Sequence, residues 1–370
     1  MNAKPRLLLA ACSAIGVAVI LTGCHIPSTK TSSATPCMDV LHLFTAANVP
    51  AMGPDETPAP AGRWTNGITP PNLPGKGLAQ HPMLIVGENY AKMYLVDEGK
   101  IIWTYQTGNR EYPWEYDDVW MLSNGNILFS RMHYAAEITP DKKVVWRYDC
   151  EKTPGTNHTE IHICQPIGLD KVMIVVNGLP PHMKVINIKT GAVEVDHELP
   201  YTLPPNPGGI HGQFRRARVT ANDTYLVGVF GRSYVVEYDK NFNEIWKYKI
   251  KLPWSVLRLK NGNTLITDEA EWLTREVNSK SETVWEFNCK TDLPPEYQFA
   301  NAPQSSTRLA NGNTIFCSRG DNGKGPQMIE VTRDKKVVWV MQDWKEIDGV
   351  TAVQILDDPG IPEIPGQSEH

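Results

Sequence analysis

The sequence predicts an all-β fold, a six-bladed β-propeller of four-stranded blades, and three recurring features carry this prediction. An Asn-Gly-Asn turn occurs three times, beginning at Asn124, Asn261 and Asn311. A polar turn such as Pro140–Lys142 recurs, and a short apolar strand that ends in Trp follows it. Asn-Gly between alternating apolar residues marks a β-hairpin, because both residues tolerate positive φ. The tryptophans that end these strands are Trp103, Trp146, Trp246, Trp285 and Trp339.

The repeating units span residues 82–358 and number six, with roughly 46 residues in each. The N-terminal unit, Met83 to Gln106, contains three strands and lacks its first strand. The C-terminal segment Gly349 to Leu356 is a first strand that no further unit follows. We expect the two segments to share one blade, since this closes the ring and removes a free sheet edge. The recurring tryptophans are expected to pack between blades.

The N-terminus has the pattern of a secretory signal. Lys4 and Arg6 precede an apolar run over residues 7–20, which is short for a helix that crosses a bilayer. Leu21-Thr22-Gly23-Cys24 resembles the bacterial lipobox, in which the cysteine is acylated. We therefore predict a lipoprotein signal peptide at 1–23 and lipid attachment to the membrane at Cys24. His25 after the cysteine favours the outer membrane or the cell surface over the inner membrane.

The remaining boundaries follow from composition and from the repeat. Residues 24–80 are rich in proline and are predicted to form a tether, residues 81–358 the propeller, and residues 359–370 a C-terminal tail. With 36 Lys and Arg against 41 Asp and Glu, the chain has no basic excess, which argues against nucleic-acid binding. We expect a monomer. The cysteines beyond residue 24 are expected to be free thiols, with a Cys150–Cys164 disulfide as the alternative.

Two family resemblances follow from these repeats. The segment Glu137–Trp146, together with the lipobox and tether, resembles the bacterial PQQ-like, or quinoprotein-like, β-propeller repeat proteins. The stretch Asp118–Asn126 is similar to a strand-and-turn pattern of arylsulfotransferase propellers. PQQ dehydrogenases carry two adjacent cysteines beside the cofactor, and this sequence has no such pair. The resemblance therefore implies the fold without implying a cofactor.

Candidate site residues lie at the starting ends of the first strands and in the loops between second and third strands. These positions surround the mouth of a propeller channel, where polar side chains have no role in the core. His211 and His162 are candidates for proton transfer, since histidine titrates near neutrality. The candidate ligand-binding residues are Trp114, Asp118, His158, Arg215, Arg216, Arg232, Trp254, Gln304 and Arg319.

Several functions fit this set of residues. Arginines beside tryptophans suit a small anionic or carbohydrate ligand, and we favour a binding protein of the cell envelope. The alternatives are an arylsulfotransferase-like transferase or a hydrolase that uses His211 or His162, and a protein-interaction scaffold for envelope assembly. Whether the protein is an enzyme is left open. His158, Glu160 and His162 alternate along one strand and suggest a metal, although we favour a site without one. The alternative to a functional site is that these charged residues form a solvated ring of salt bridges around the channel.

Overall fold

Six four-stranded antiparallel sheets form the body of the protein in the computed structural model. It describes residues 34–58, 69–88, 92–107, 115–150, 159–201, 209–321, 323–368 and 370. Each sheet is one blade, and in five of the six the strands follow one another outward from the central channel in chain order. In blade 1 the last strand of the chain lies innermost, before three strands from the N-terminal part. The predicted six-bladed propeller is confirmed.

The strands of blades 1 to 3 are as follows: β24 (Ala352–Ile355), β1 (Met83–Val86), β2 (Lys92–Asp97) and β3 (Lys100–Gln106); β4 (Asp118–Met121), β5 (Ile127–Arg131), β6 (Tyr134–Ile138) and β7 (Val144–Asp149); β8 (Glu160–Ile167), β9 (Lys171–Asn177), β10 (His182–Asn187) and β11 (Val193–Glu198). Those of blades 4 to 6 are β12 (Arg216–Val219), β13 (Tyr225–Val229), β14 (Tyr234–Tyr238) and β15 (Glu244–Lys249); β16 (Pro253–Arg258), β17 (Thr264–Asp268), β18 (Leu273–Val277) and β19 (Thr283–Asn288); β20 (Ser305–Arg308), β21 (Thr314–Cys317), β22 (Met328–Val331) and β23 (Val337–Met341).

The ring closes through blade 1, which combines both ends of the propeller sequence. Strand β24 pairs antiparallel with β1, in a register that sets Met83 opposite Ile355 and Val86 opposite Ala352. Both strands are buried along their length because each lies against apolar neighbours on both faces. The predicted sharing of one blade by the two terminal segments is confirmed, and no sheet edge is left open at the seam.

A buried glutamate on the third strand completes the blade repeat. The amide groups of Asn126, Asn263 and Asn313 each donate a hydrogen bond to such a glutamate, over 2.6, 2.7 and 2.6 Å. The same glutamates, Glu137, Glu276 and Glu330, face the outer-strand tryptophan across a β-bulge. The sequence motif Asn-Gly-Asn is therefore anchored inside its own blade by a carboxylate.

The repeated tryptophans link neighbouring blades. Trp103 of blade 1 donates its indole N–H to the Pro140 carbonyl of blade 2 over 3.0 Å. Trp285 of blade 5 donates in the same way to the Arg333 carbonyl of blade 6 over 2.9 Å. Both rings are buried, so each joins apolar packing to one directional bond. The expected packing of these tryptophans between blades holds for this pair.

Parts of the predicted tether pack on the propeller. The short helix α1 (Pro36–Asp39) and the 3-10 turn Leu41–Phe44 bury Cys37 and Phe44 in the core that blades 1 and 2 share. Lys142, itself buried, forms an ion pair with Glu56 over 3.1 Å. Apolar residues among the prolines thus hold this segment against the ring. The predicted boundaries at residues 23 and 80 stay predictions.

The predicted C-terminal tail forms a strap that contacts several blades of the propeller. The Pro359 carbonyl accepts a hydrogen bond from Lys260 of blade 5 over 3.2 Å, and the Glu363 carbonyl accepts one from the Gly168 amide of blade 3. His370 packs edge-on against Trp120 in the channel, with ring centroids 4.6 Å apart. The strap therefore joins blades that are not neighbours in sequence.

His81 reinforces the seam between blades 6 and 1. Its imidazole lies 3.0 Å from the Glu330 carboxylate and 3.8 Å from that of Asp357. Although burial lowers the pKa of His81, hydrogen bonds to Asp357 and Glu330 outweigh this effect and raise the pKa to about 9.

We expect the seam to weaken in alkali. Because the folded-state pKa of His81 exceeds the unfolded value, its stabilisation is complete below about pH 6.5 and is lost as the pH rises through about 9. The contribution is on the order of 1–2 kcal/mol after solvent screening. Urea unfolding across this range should show a smaller decline for His81→Gln than for the wild type, whereas His42→Gln at an exposed site should match the wild type. Equal slopes for His81→Gln and wild type would contradict the prediction.

The cysteines of the described residues form no disulfide. Cys37, Cys150, Cys164, Cys289 and Cys317 are all free thiols, and all but Cys150 are buried. Among these residues, no helix has the length and apolar character needed to cross a membrane. The proposed signal peptide and the lipid site at Cys24 lie outside the described residues.

Candidate functional site

The polar side chains of blades 2, 3 and 4 converge where their first strands begin. We name this group the mouth cluster: Glu115, Asp117, Glu160, His162, His211 and Arg215. Glu115 and Asp117 precede β4, and Arg215 precedes β12. Glu160 and His162 lie on β8, where a bulge between Ile161 and Ile163 leaves His162 without a partner in β9. Bulges commonly redirect a side chain beside a functional site.

His162 is a buried imidazolium between two carboxylates. Its Nδ1 lies 2.6 Å from Asp117 Oδ2, and its Nε2 lies 2.6 Å from Glu160 Oε2. Both ring nitrogens must carry hydrogen, because a carboxylate can only accept. Burial and Arg215 lower the pKa of His162, but Asp117 and Glu160 more than offset them and raise it to about 9. His162 is therefore charged at neutral pH.

Glu160 connects this buried imidazolium to a second histidine. Its Oε2 also accepts a hydrogen bond from His211 Nδ1 over 2.9 Å. The His211 side chain is 42% exposed, whereas those of Glu160 and His162 are almost fully buried. Burial, Arg215 and His162 lower the pKa of His211, and its bond to Glu160 offsets them only in part. The neutral ring then accepts a hydrogen bond from Arg215 Nη2 through its Nε2.

Arg215 and two carboxyl groups complete the mouth cluster. Arg215 Nη1 donates to Glu115 Oε1 over 2.9 Å and lies 3.7 Å from Asp117 Oδ1. Burial and the neighbouring Asp117 raise the pKa of Glu115, and Arg215 opposes this. Burial acts on Asp117 too, but His162 and Arg215 hold its pKa below the usual range. The pKa values of these two adjacent carboxyl groups are thus shifted in opposite directions, up for Glu115 and down for Asp117.

The opposite side of the mouth carries a second charged group. Glu88 accepts hydrogen bonds from Gln304 Nε2 and Arg319 Nη1, each over 2.9 Å. Gln304 is buried, whereas 38% of the Arg319 side chain is exposed. Burial raises the pKa of Glu269, which Arg319 and Arg215 partly counteract. Gln304 therefore positions Glu88, which pairs with the partly exposed Arg319.

A buried ionic network lies below the mouth cluster in the channel. Asp118 accepts two hydrogen bonds from Arg218, over 2.7 and 2.9 Å, and one from Arg216. Arg216 also packs over Trp254, with 5.3 Å from its guanidinium carbon to the ring centroid. Trp254 is 1% exposed. We call these three predicted ligand-binding residues, Asp118, Arg216 and Trp254, the channel floor, because all three are buried and Arg216 contacts the other two. Their role in ligand binding stays a prediction.

Of the other predicted residues, Arg232 lies on the surface, and two belong to segments that the structure does not describe. Arg232 is exposed, with its guanidinium 5.1 Å from the Tyr201 ring centroid. Trp114 and His158 lie outside the described residues. The structure thus brings the predicted His162, His211 and Arg215 together in the mouth cluster.

Sequence reasoning did not assign roles to Glu88 and Glu115. Glu115 lies two residues before Asp117, and residues at this spacing in an extended segment point to the same side. This spacing was the sequence feature that could have identified Glu115. Glu88 follows an inner strand of another blade, and its meeting with Arg319 depends on ring closure.

Two sets of three donor side chains in the described structure have the spacing needed to hold a metal ion. One consists of Glu160, His162 and His211, and the other of Glu115, Asp117 and His162. The donor atoms of each set lie within 4.8 Å of one another. The mouth cluster is thus chemically equipped for proton transfer or for cation binding.

Comparison with solved structures supports the fold. A Bacteroides caccae protein of unknown function superposes with a TM-score of 0.63 at 24% identity, covering 73% of this chain and 97% of that one. A catalytically inactive variant of Staphylococcus aureus virginiamycin B lyase, solved with quinupristin, gives 0.50 at 12% identity and covers 75% and 90%. BamB from Moraxella catarrhalis gives 0.39 at 14% identity and covers 60% and 63%.

No protein-family model and no curated protein sequence matches the chain. At these identities the Bacteroides caccae protein and the Staphylococcus aureus lyase show a shared fold alone.

Proposed function

We propose that the protein is an enzyme whose channel mouth binds a small carbohydrate-like substrate and cleaves it by hydrolysis or elimination. The observation that carries this proposal is the hydrogen-bonded chain from Asp117 through His162 and Glu160 to His211. Its inner members are buried and only His211 opens widely to solvent. A polar chain that ends in one accessible imidazole is typical of residues that act on a substrate.

The charges at the mouth favour a neutral, hydroxyl-rich substrate over an anionic one. Arg215 is already paired with Glu115, and Arg319 with Glu88. Arg216, deeper in the channel, is paired with Asp118. An anion would have to compete with these carboxylates, whereas hydroxyl groups can both donate to and accept from them. Half-buried Phe230, 5.9 Å from the Arg215 guanidinium, offers an apolar ring face beside these polar groups.

A propeller of this fold can carry histidine-dependent catalysis. The Staphylococcus aureus lyase was solved as a catalytically inactive variant in which alanine replaces a histidine. This is a property of that enzyme and supports elimination as one of the two reaction classes to test here.

The test combines a ligand screen with a turnover assay on the full chain. Neutral oligosaccharides, uronates and sulfate esters are screened by thermal shift, because a ligand that binds only the native state raises the melting temperature. We expect neutral sugars to give the larger shifts. His211→Ala should retain the shift and lose turnover by at least about a hundredfold.

His182→Ala is the matched control, since His182 also forms a hydrogen bond to an aspartate, Asp196, over 2.7 Å but lies on β10. It should leave turnover unchanged. Undiminished turnover by His211→Ala would refute the proposal, as would a panel in which no compound is bound or cleaved.

A further inference from the structure

We infer that Glu160, His162 and His211 form a binding site for a divalent transition-metal ion of the zinc type. This inference rests on the proposed function, because it specifies how the mouth cluster acts. The metal alternative that the sequence suggested, which was not favoured, contained His158 in place of His211. The structure supplies His211 from another blade, at the mouth and in contact with Glu160.

The donor atoms already point toward one another. His162 Nε2 and His211 Nδ1 approach the same oxygen of Glu160, over 2.6 and 2.9 Å. The two imidazole rings are 5.1 Å apart at their centroids and nearly perpendicular, at 80°. Two imidazole nitrogens and one carboxylate oxygen form the donor set of many catalytic zinc sites, in which the fourth position stays open for substrate or water. Here the half-exposed side of His211 faces solvent.

The buried imidazole has a carboxylate at its other nitrogen. His162 Nδ1 contacts Asp117 Oδ2 over 2.6 Å, whereas His211 Nε2 accepts a hydrogen bond from Arg215 Nη2 and lies 3.8 Å from Glu115 Oε2, beyond hydrogen-bond distance. Metal-binding histidines characteristically use the second nitrogen in this way, because the carboxylate fixes the ring and strengthens the donor atom. His162 therefore has the outer carboxylate that is typical of a metal-binding histidine.

The charge of the cluster matches a divalent ion. Glu115, Asp117 and Glu160 supply three carboxylates against the single guanidinium of Arg215. Metal binding requires both imidazoles to be neutral, so a divalent ion would take the place of the proton that His162 carries in the metal-free protein. Asp117 Oδ1 is also buried, 3.7 Å from the Arg215 guanidinium and beyond hydrogen-bond distance from it. When bound, such an ion would supply Lewis-acid activation of the substrate.

The test is direct metal binding, independent of turnover. The full chain is treated with chelator and titrated with Co²⁺, whose visible absorption is intense in a tetrahedral site. We expect one Co²⁺ per chain, displaced by Zn²⁺. His211→Ala and Glu160→Gln should each weaken binding at least about tenfold, and Asp117→Asn should weaken it by about 10-fold to 100-fold. Circular dichroism of the metal-free variants checks that each is folded, and His211→Ala is the safest because this side chain is half-exposed.

The outcomes separate this inference from the proposed function. His182→Ala should bind Co²⁺ as the wild type does, since its Asp196 pair is a comparable surface site. Failure of the wild type to bind Co²⁺ or Zn²⁺, or equal binding by folded His211→Ala, would overturn the metal site. Full turnover by the chelated protein would overturn it too, while leaving the proposed function intact. Loss of turnover on chelation, restored by Zn²⁺, would support both.

Discussion

Replacing Asp118 by Ala should lower the free energy of unfolding by about 3–5 kcal/mol, the usual effect of leaving a buried charge without its partner. Asp118 is fully buried and is the carboxylate that Arg216 and Arg218 share. Those guanidiniums are also buried, at 2% and 4% exposure, so water cannot replace the carboxylate. Cation–π contacts with Trp254 and Trp120 would remain, but they compensate only partly.

Urea unfolding followed by tryptophan fluorescence measures this change. Asp141→Ala is the control, because the Asp141–Lys143 pair is a surface ion pair with a 68% exposed lysine side chain and should contribute no more than about 1 kcal/mol. Adding Arg218→Leu to Asp118→Ala should recover part of the loss, since it removes one unpaired charge. A loss below about 1 kcal/mol for Asp118→Ala would show that the network is not what stabilises the channel floor.

Glu276→Gln should destabilise the propeller by about 3 kcal/mol, and the equivalent change in blade 2 should have a much smaller effect. Glu276 is fully buried and pairs with Arg308 over 3.1 Å and with Arg333. Burial raises the pKa of Glu276, but the bonds from Arg333 and Asn263 outweigh it and lower the pKa. The neutral amide would leave the buried Arg308 without its counter-charge.

Glu137→Gln is the matched control at the same position of the repeat. Glu137 accepts a hydrogen bond from Asn126, and burial raises its pKa, so the carboxylate is less strongly stabilised there. Glutamine preserves most of that interaction, and we expect a change of about 1 kcal/mol or less. Thermal and urea unfolding of both variants provide the comparison. Equal losses would mean that the shared asparagine bond matters and the blade 5 arginines do not.

Repetition explains how far the sequence could predict the fold. Asn-Gly-Asn turns and outer-strand tryptophans recur because each blade solves the same local problem, a tight hairpin and an apolar face toward its neighbour. The unpaired first strand at Gly349 to Leu356 likewise required the three-stranded N-terminal unit as its partner. Patterns of this kind depend only on neighbouring residues, so they can be recognised without knowing how the whole chain folds.

The site was only partly predictable, because depth and partnership depend on the closed ring. His162, His211 and Arg215 were identified from their position at strand starts, and they meet in the structure. Arg216 occupies an equally polar position one residue along, yet it points into the channel and pairs with Asp118. Neighbouring residues of a strand point to opposite sides, so the first residue of the strand decides which side chain faces which way. The sequence does not identify that first residue to within one position.

The amino-acid sequence by itself determined six blades, the shared closing blade and the set of strands whose ends surround the channel, since these follow from local hairpin and packing patterns. Tertiary structure alone decided which charges neutralise one another: Glu88 with Arg319 across the mouth, Glu160 with two histidines from different blades, and His81 at the seam. Such pairs are far apart in sequence, and their energies depend on burial and on distances of a few ångströms. Those quantities exist only once the ring has closed.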